Sequence, residues 1–197
     1  MGNLLLKMDK GKLFVISAPS GTGKTTIVKR LKKEIPSLKV IVTFTTRKPR
    51  PGEKDGVDYH FVSEKEFKNM IKEGKFVEWA VVYGNYYGTP KDQIIEGLKR
   101  GDKILCCVDT QGGMSIKKAF PFSILIGILP PSLKEQERRM RERGGVTEDE
   151  IKTRLEASKR EMEILFKNYN FCIINKDIDE TVKKVKEIIL KGFSGIE

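Results

Sequence analysis

The stretch KLFVISAPSGTGKTTIVKRLKKE, residues 12–34, decides the fold of this chain. Its first six residues, KLFVIS, contain four consecutive apolar side chains and predict a buried strand. Its last ten, TTIVKRLKKE, are amphipathic and predict a helix. A glycine-rich loop joins these two elements. A strand, a glycine-rich loop and a helix in this order are typical of α/β proteins that bind phosphate at the helix N-terminus.

The loop carries the end of the pattern G-x-x-x-x-G-K-[ST], whose backbone amides bind phosphate. Ala18 stands where the pattern has its first glycine, and its side chain requires an ordinary negative φ. We expect Lys24 to neutralise β- and γ-phosphate oxygens and the Thr25 hydroxyl to ligate Mg²⁺. A glycine-rich turn that contains GKT by chance is the alternative, which the order of elements disfavours. The loop residues expected to bind the triphosphate are Ala18, Pro19, Ser20, Gly21, Thr22, Gly23, Lys24, Thr25 and Thr26.

Further apolar segments alternate with helical patterns along the chain. Strands are predicted at KVIVTF (39–44), KILCCVD (103–109), SILIGIL (123–129) and FCIIN (171–175). All-apolar strands separated by helices are typical of a parallel sheet covered by helices on both faces. The sequence therefore predicts a three-layer α/β fold.

Residues 43–90 depart from this alternation. They contain a turn-rich basic stretch, a short helix near residues 64–73 and two aromatic-rich strand segments, FVEWAVV and YGNYYGTP. We expect these residues to form an insertion into the α/β core.

A second departure follows residue 132, where a charged helix begins and runs to Arg143. Gly144 and Gly145 can then supply the left-handed conformation that terminates a helix. Thr147 and Glu150 form a T-x-x-E capping box that begins the next helix. Because two helices meet at a double glycine, we expect this segment to move as a lid.

Composition limits the class of protein. The 197 residues suit one compact domain, and 39% hydrophobic with 33% charged residues describe a globular chain. The longest apolar run, residues 124–129, is too short to span a membrane, and the N-terminus lacks a secretory apolar segment. Three cysteines form neither a disulfide framework nor a CxxC metal pair, which favours the reducing cytoplasm.

The net charge of +11 indicates an anionic partner: nucleic acid, an acidic membrane surface or a phosphorylated small molecule. Six of the ten arginines lie within residues 138–160, and Arg47 and Arg50 bracket RKPR. Arginine binds two phosphate oxygens with one planar group, so both clusters are candidate phosphate sites. Solvated helix faces are the alternative explanation.

Five motifs, in order along the chain, closely resemble those of the guanylate kinase family. They are TFTTRKPRPGEKDGVDYHFVS, FVEWAVVYGNYYGT, DTQG, RERGGVTEDEI and INKD. The resemblance implies transfer of the ATP γ-phosphoryl group to GMP, with dGMP as a further expected acceptor, in purine nucleotide metabolism. It implies a P-loop kinase core of residues 1–42, 91–137 and 156–197, a GMP-binding insertion of residues 43–90 and a lid of residues 138–155.

Guanine recognition needs a carboxylate for the N1 and amino hydrogens and a hydroxyl or amide donor for O6. Adenine has an acceptor at N1 and does not match such a pocket. By resemblance, Glu78 is the carboxylate, and Thr43 and Thr89 supply hydroxyls near O6. Without the motif, Glu78 beside Trp79 would be interpreted as a surface residue at a strand edge.

The GMP phosphate needs cations and hydroxyls. The resemblance assigns Arg47, Arg50, Tyr59 and Tyr87 to this phosphate, and Gly88 also falls within the GMP-binding motif. Half-buried core aromatics are the alternative for the two tyrosines.

The resemblance also assigns catalytic cations. Arg139 and Arg143 lie on one helical face, Arg154 lies beyond the double glycine, and Lys24 completes the set. Arg138 and Arg141 point elsewhere and should be solvated. The only histidine, His60, matches no catalytic position, and a phosphate acceptor with a second pKa near 6 needs no strong base.

Asp109 follows an apolar strand and matches an acidic residue that binds GMP and orients Mg²⁺. A helix N-cap before TQGG is the alternative. Two residues earlier the family usually has another acid near the guanine, and this chain has Cys107. Asn175 matches an adenine-side position of the ATP site, although Lys176 replaces the familiar acid beside it.

Two other functions remain open: another nucleoside monophosphate kinase, or a non-catalytic guanylate-kinase-like binding module. The intact GKT sequence disfavours the module. The expected partners are the nucleotides ATP and GMP with Mg²⁺, and neither nucleic acid nor a membrane. The oligomeric state is not readable from the sequence.

Overall fold

The computed structural model describes residues 11–82 and 84–191, with every side chain in them except that of Arg143. These ranges contain nine strands and seven helices. The strands are β1 (Lys12–Ser17), β2 (Leu38–Val40), β3 (Phe44–Thr45), β4 (His60–Phe61), β5 (Phe76–Val82), β6 (Asn85–Pro90), β7 (Lys103–Val108), β8 (Ile124–Leu129) and β9 (Phe171–Ile174). The helices are α1 (Lys24–Glu34), α2 (Glu64–Lys72), α3 (Lys91–Arg100), α4 (Thr110–Ala119), α5 (Leu133–Arg143), α6 (Glu148–Asn168) and α7 (Ile178–Lys191).

A five-stranded sheet in the order β2-β7-β1-β8-β9 forms the core, and all its pairs are parallel. Its apolar strands are covered on both faces. One face packs with α1 and α7 around Phe14 and Ile16, and the other packs with α3, α4 and α6 around Leu13 and Val15. The predicted α/β fold with a parallel sheet is confirmed.

A second sheet, in the order β4-β3-β6-β5, lies within residues 44–90. Its short strand β3 pairs in parallel with β4 and antiparallel with β6. The helix expected near residues 64–73 and both aromatic strands are present as α2, β5 and β6.

The prediction of one strand over residues 39–44 was wrong. The chain leaves the core sheet after β2, although the Ile41 amide still donates to the Leu105 carbonyl at 2.9 Å. It enters the second sheet at Phe44. Both sheets bury apolar side chains, so a continuous apolar pattern runs through the change of sheet.

An ion pair also connects the two parts of the fold. The Lys29 ammonium of α1 lies 2.8 Å from the carboxylate of Asp58, which precedes β4. The bond from Lys29 lowers the pKa of Asp58, and the Lys54 amide donates to the other carboxylate oxygen.

Both glycines of the double-glycine joint have positive φ, although Gly144 has a ψ of −174° and so lacks the left-handed helical conformation that was predicted. Gly144 and Gly145 have φ of 66° and 71°, in the left-handed region that favours glycine. Thr147 and Glu150 make both bonds of a capping box at the start of α6. Among the described residues, no helix combines the length and the apolar character needed to cross a lipid bilayer.

Candidate active site

A cavity of about 630 Å³ opens where β1 and β7 end, and residues of both sheets line it. Most residues that the sequence assigns to nucleotide binding lie on its wall. They are residues 18–26 together with Thr43, Arg47, Arg50, Tyr59, Glu78, Tyr87, Asp109, Arg139 and Arg154. The fold therefore brings the candidate loop, base, phosphate and lid residues to one cavity. The Arg143 side chain lies outside the described part of the chain.

The loop between β1 and α1 is shaped by glycine and held by side-chain amides. Gly21 and Gly23 have φ of 79° and 95°, conformations that a larger residue would adopt only under strain. The Gln136 amide donates to the Ser20 carbonyl at 2.6 Å, and the Asn175 amide donates to the Thr22 carbonyl at 2.8 Å. These bonds fix the loop from outside the cavity.

The first turn of α1 is free of acidic residues, and no side chain caps it. Its backbone N–H groups and the positive end of the helix dipole are therefore available to an anion. The Lys24 ammonium adds a full positive charge and donates to the Val108 carbonyl at 2.7 Å, at the end of β7. The geometry suits a chain of phosphates that lies along the loop.

Asp109 has the N-cap role that the sequence offered as an alternative, and it also lies on the cavity wall. One carboxylate oxygen accepts from the Gly112 amide at 2.7 Å, so Asp109 is the N-cap of α4. Its backbone carbonyl accepts from the Ser17 hydroxyl at 2.9 Å. Asp109 also lines the cavity, so the helix cap presents a carboxylate to any ligand there.

A second carboxylate on the cavity wall, that of Glu78, is buried. Glu78 of β5 accepts a hydrogen bond from the Thr89 hydroxyl of β6. Burial raises the pKa of Glu78 to about 7, against the Thr89 bond, and the nearby charge of Asp109 raises it further. Thr43 adds a buried hydroxyl on the same wall. Donors from a ligand would stabilise the ionised form of Glu78.

Arg47 and Arg50 also lie on the cavity wall. Two hydrogen bonds of 2.9 Å join Arg47 to both carboxylate oxygens of Glu53, which also accepts from the Arg50 amide at 2.7 Å. The Arg47 guanidinium lies 5.3 Å from the centre of the Tyr59 ring. Burial raises the pKa of Tyr59 to about 12, so its hydroxyl remains a donor at neutral pH.

Among the described arginine side chains of helix α5, only that of Arg139 lines the cavity. Arg139 donates to Glu135 at 2.8 Å and to the Asn175 carbonyl at 3.3 Å, whereas Arg138 and Arg141 are exposed and bonded to surface glutamates. The prediction that these two are solvated is confirmed. Arg154 of α6 is 8% exposed and lies on the cavity wall, 3.7 Å from Glu150.

The sequence comparisons decide the family. The chain matches the sequence profile of the guanylate kinase family over residues 10–192. A guanylate kinase from Caldanaerobacter subterraneus subsp. tengcongensis is 45% identical over 181 residues, which are 92% of this chain and 87% of that protein. The chain belongs to the guanylate kinase family. A guanylate kinase from Rickettsia prowazekii is 43% identical over 182 residues, 92% of each protein.

A solved structure of the guanylate kinase family has the same fold. The crystal structure of guanylate kinase from Anaplasma phagocytophilum matches with a TM-score of 0.78 and 30% identity, over 94% of this chain and 87% of that one. The resemblance found in the motifs is therefore confirmed across nearly the whole chain.

Three residues that the family motifs assign to nucleotides lie off the cavity wall. Thr89 reaches the cavity only through its bond to Glu78. Gly88 is a packing position, because a Cβ there would stand 2.8 Å from the rings of Phe67 and Phe76. Asn175 is 3% exposed, and its amide is engaged by Thr22 and Thr181. Their contacts with nucleotide stay predictions.

Two acidic residues of the wall were missed by the sequence analysis: Glu53, which holds Arg47, and Glu161 of α6. Burial raises the pKa of Glu161 to about 7, with Lys24 opposing the shift and Asp109 adding to it. Glu161 follows Arg154 by seven residues, two helical turns, and so lies on the same face. This seven-residue spacing was the sequence signal that could have placed Glu161 in the site.

Proposed function

We propose that this member of the guanylate kinase family transfers the γ-phosphoryl group of ATP to GMP, giving ADP and GDP. The supporting observation is one cavity lined both by the glycine-rich loop with Lys24 and by the buried carboxylate of Glu78. In this proposal residues 43–90 bind GMP, residues 138–155 form the lid, and the remaining residues form the core.

Glu78 recognises the base. Guanine presents two adjacent donors, the N1 and amino hydrogens, and a carboxylate accepts both. The Thr43 hydroxyl donates to O6, and the Thr89 hydroxyl holds Glu78 in place. Adenine has an acceptor at N1, which would face the carboxylate unpaired, and the loss of a buried bond makes such discrimination strong.

Arg47, Arg50, Tyr59 and Tyr87 bind the GMP phosphate. Glu53 holds the Arg47 guanidinium at the cavity wall, which reduces the motion lost when phosphate binds. The contacts named here address base and phosphate, so we propose dGMP as a second acceptor.

Transfer requires that two anions approach each other. The GMP phosphate is mostly ionised at neutral pH because its second pKa is near 6, so no strong base is needed to make it a nucleophile. Lys24 and the lid residues Arg139, Arg143 and Arg154 neutralise the charge on the transferred group. The Arg154 side chain is largely buried, and charge interactions are stronger in a buried environment than in water.

The donor set fits Mg²⁺. Thr25 offers a hydroxyl and Asp109 a carboxylate to the same cavity. Within residues 11–82 and 84–191, no three or more His, Cys, Asp and Glu side chains are grouped so that they could hold a metal by themselves. Mg²⁺ suits a site with few protein oxygens, because it keeps waters and binds substrate phosphates. When bound, Mg²⁺ would supply positive charge that neutralises the phosphate groups. Thr25 and Asp109 would hold it.

We propose a role in purine nucleotide metabolism in the cytoplasm. Cys106, Cys107 and Cys172 are all free, which suits a reducing compartment. ATP, GMP and Mg²⁺ are the proposed small-molecule partners.

A coupled assay of ADP release from MgATP and GMP tests the activity. GMP should be consumed far faster than AMP or CMP at equal low concentration. Comparable turnover of AMP or CMP would indicate another nucleoside monophosphate kinase, and the absence of turnover with retained GMP binding would indicate a non-catalytic module.

Two variants test the division of roles within the GMP site. Glu78→Gln should raise KM for GMP and reduce the preference for guanine over adenine, with KM for ATP nearly unchanged. Arg50→Ala should raise KM for GMP without a change in base preference. Equal effects on base preference would contradict this division.

A further inference from the structure

The carboxylate of Glu78 belongs to one sheet but lies against a helix of the other. Glu78 projects from β5, whereas its carboxylate contacts the first turn of α4 at Gly112. A Cβ on Gly112 would stand 3.0 Å from Oε2 and 3.2 Å from Cδ of Glu78. These separations are shorter than ordinary van der Waals contact, so only a residue without a side chain leaves the carboxylate where it is.

The turn of α4 that carries Gly112 has little room to move away. Its amide is bonded to Asp109 at 2.7 Å, and a Cβ on Gly112 would also stand 3.1 Å from the Cβ of Val108. At the next residue, a Cβ on Gly113 would lie only 2.0 Å from the Tyr169 hydroxyl oxygen. Tyr169 therefore limits movement of the helix on the side of Gly113.

The carboxylate is held on its other side as well. The Thr89 hydroxyl donates to Oε1, while Oε2 is the atom nearest to Gly112. Thr89 belongs to β6, the antiparallel partner of β5, and its register is fixed by the pairing of Glu78 with Thr89. One oxygen is thus fixed by the second sheet and the other is limited by the core helix.

We propose that Gly112 is a positioning residue for base specificity: its missing side chain determines where the Glu78 carboxylate lies and hence how it meets the base. The inference rests on the proposed function, in which that carboxylate accepts the N1 and amino hydrogens of guanine. Such a pair of bonds depends on both oxygens, so a displacement of a few tenths of an ångström weakens recognition of the amino group as well as of N1.

Helix propensity gives this proposal a distinctive test. Gly112 lies inside α4 and is not among the glycines with positive φ. Alanine is a better helix former than glycine, so Gly112→Ala has no backbone reason to destabilise the protein. A loss of guanine recognition without a loss of helix stability separates positioning from a structural role.

The experiment compares GMP with inosine 5′-monophosphate, which lacks the 2-amino group. In Gly112→Ala, KM for GMP should rise about fivefold and the ratio of kcat/KM for GMP over inosine monophosphate should fall about threefold, with KM for ATP unchanged. Gly97→Ala is the matched control. Gly97 lies in α3 and is not on the cavity wall, and its new Cβ would stand 2.7 Å from the Ile104 side chain of β7. It should leave the ratio unchanged.

The same substitution in the Glu78→Ala background completes a double-mutant cycle. Without the carboxylate, alanine at residue 112 should change GMP binding, measured by calorimetry, less than twofold. A loss of stability from the contact with the Cβ of Val108 should be the same in both backgrounds, so GMP binding is the deciding measurement. Equal losses of GMP affinity in both backgrounds would overturn the proposal.

Two other results have distinct meanings. A folded Gly112→Ala protein with unchanged KM for GMP and unchanged ratio overturns the role of Gly112 and leaves the proposed function standing. Wild-type protein that does not phosphorylate GMP overturns the proposed function and this inference with it.

Discussion

Asn175 offers a test that separates a structural role from nucleotide binding. Its side-chain amide donates to the Thr22 carbonyl at 2.8 Å, and its carbonyl oxygen accepts from the Thr181 hydroxyl at 3.0 Å. Asn175 and Thr22 are 3% and 1% exposed, so water cannot replace these bonds. We expect Asn175→Ala to destabilise the protein and to release the phosphate-binding loop.

The magnitude follows from the two bonds. Each lost hydrogen bond costs about 1 kcal/mol net, and loss of the donor to a buried carbonyl adds about 1 kcal/mol or more. The free energy of unfolding should therefore fall by about 3 kcal/mol. For a chain of this size, that corresponds to a fall in Tm of about 6–12 °C. KM for ATP should rise because Thr22 belongs to the loop, with KM for GMP nearly unchanged.

Urea unfolding and steady-state kinetics with two phosphoryl donors measure these effects. Thr181→Val is the matched control: it removes a hydroxyl that contacts the Asn175 side chain and the Asp177 carbonyl, and it keeps the bond from Asn175 to Thr22. It should cost about 1 kcal/mol without a change in KM for ATP. If Asn175 only holds the loop, the preference for ATP over GTP should survive Asn175→Ala. Unchanged stability with loss of that preference would refute this reasoning and favour a direct contact with adenine.

Three further predictions concern charge in the cavity. Arg139→Ala should lower kcat at least about 100-fold with folding intact. Arg138→Ala, which loses a bond to the same Glu135, should leave kcat within about twofold. Equal effects would contradict a catalytic role for Arg139. Burial raises the pKa of Glu161 from 4.5 to about 7, so its contribution to stability is full below pH 4.5 and lost as pH rises through 7. At pH 8, Glu161→Gln should therefore raise the free energy of unfolding above that of wild type by up to about 3 kcal/mol, measured with denaturant, whereas at pH 5 it should not. A difference that does not depend on pH would exclude this explanation. Burial raises the pKa of the Cys107 thiol, so Cys107→Ser should change GMP affinity less than about threefold by calorimetry, and a large loss would place the thiol in the site.

Local rules predicted much of the fold. Most of the apolar strands, the loop between the first strand and its helix, and the Thr147 capping box each depend on short stretches of sequence, and each is present. The change of sheet between Val40 and Phe44 was missed because both sheets need apolar residues and the period of the pattern does not identify the partner strand.

The site was less readable where a role depends on distant contacts. Glu161 is one of many charged residues on α6, and only the packing of that helix on the cavity sets it apart. Asn175 was assigned to adenine by motif, yet its visible contacts are with Thr22 and Thr181, residues 153 and 6 positions away. Sequence spacing gives the face of a helix but not what lies opposite.

The ion pair between Lys29 and Asp58 makes ionic strength a variable of the mechanism. The Lys29 side chain is 61% exposed, and dissolved ions screen charges over about 8 Å at physiological salt. Added salt therefore weakens the connection between the α/β core and residues 43–90 while it also weakens attraction of nucleotide anions to the cavity. At saturating nucleotide the second effect disappears. The salt dependence of kcat then excludes the attraction of nucleotide to the cavity, whereas that of kcat/KM includes it.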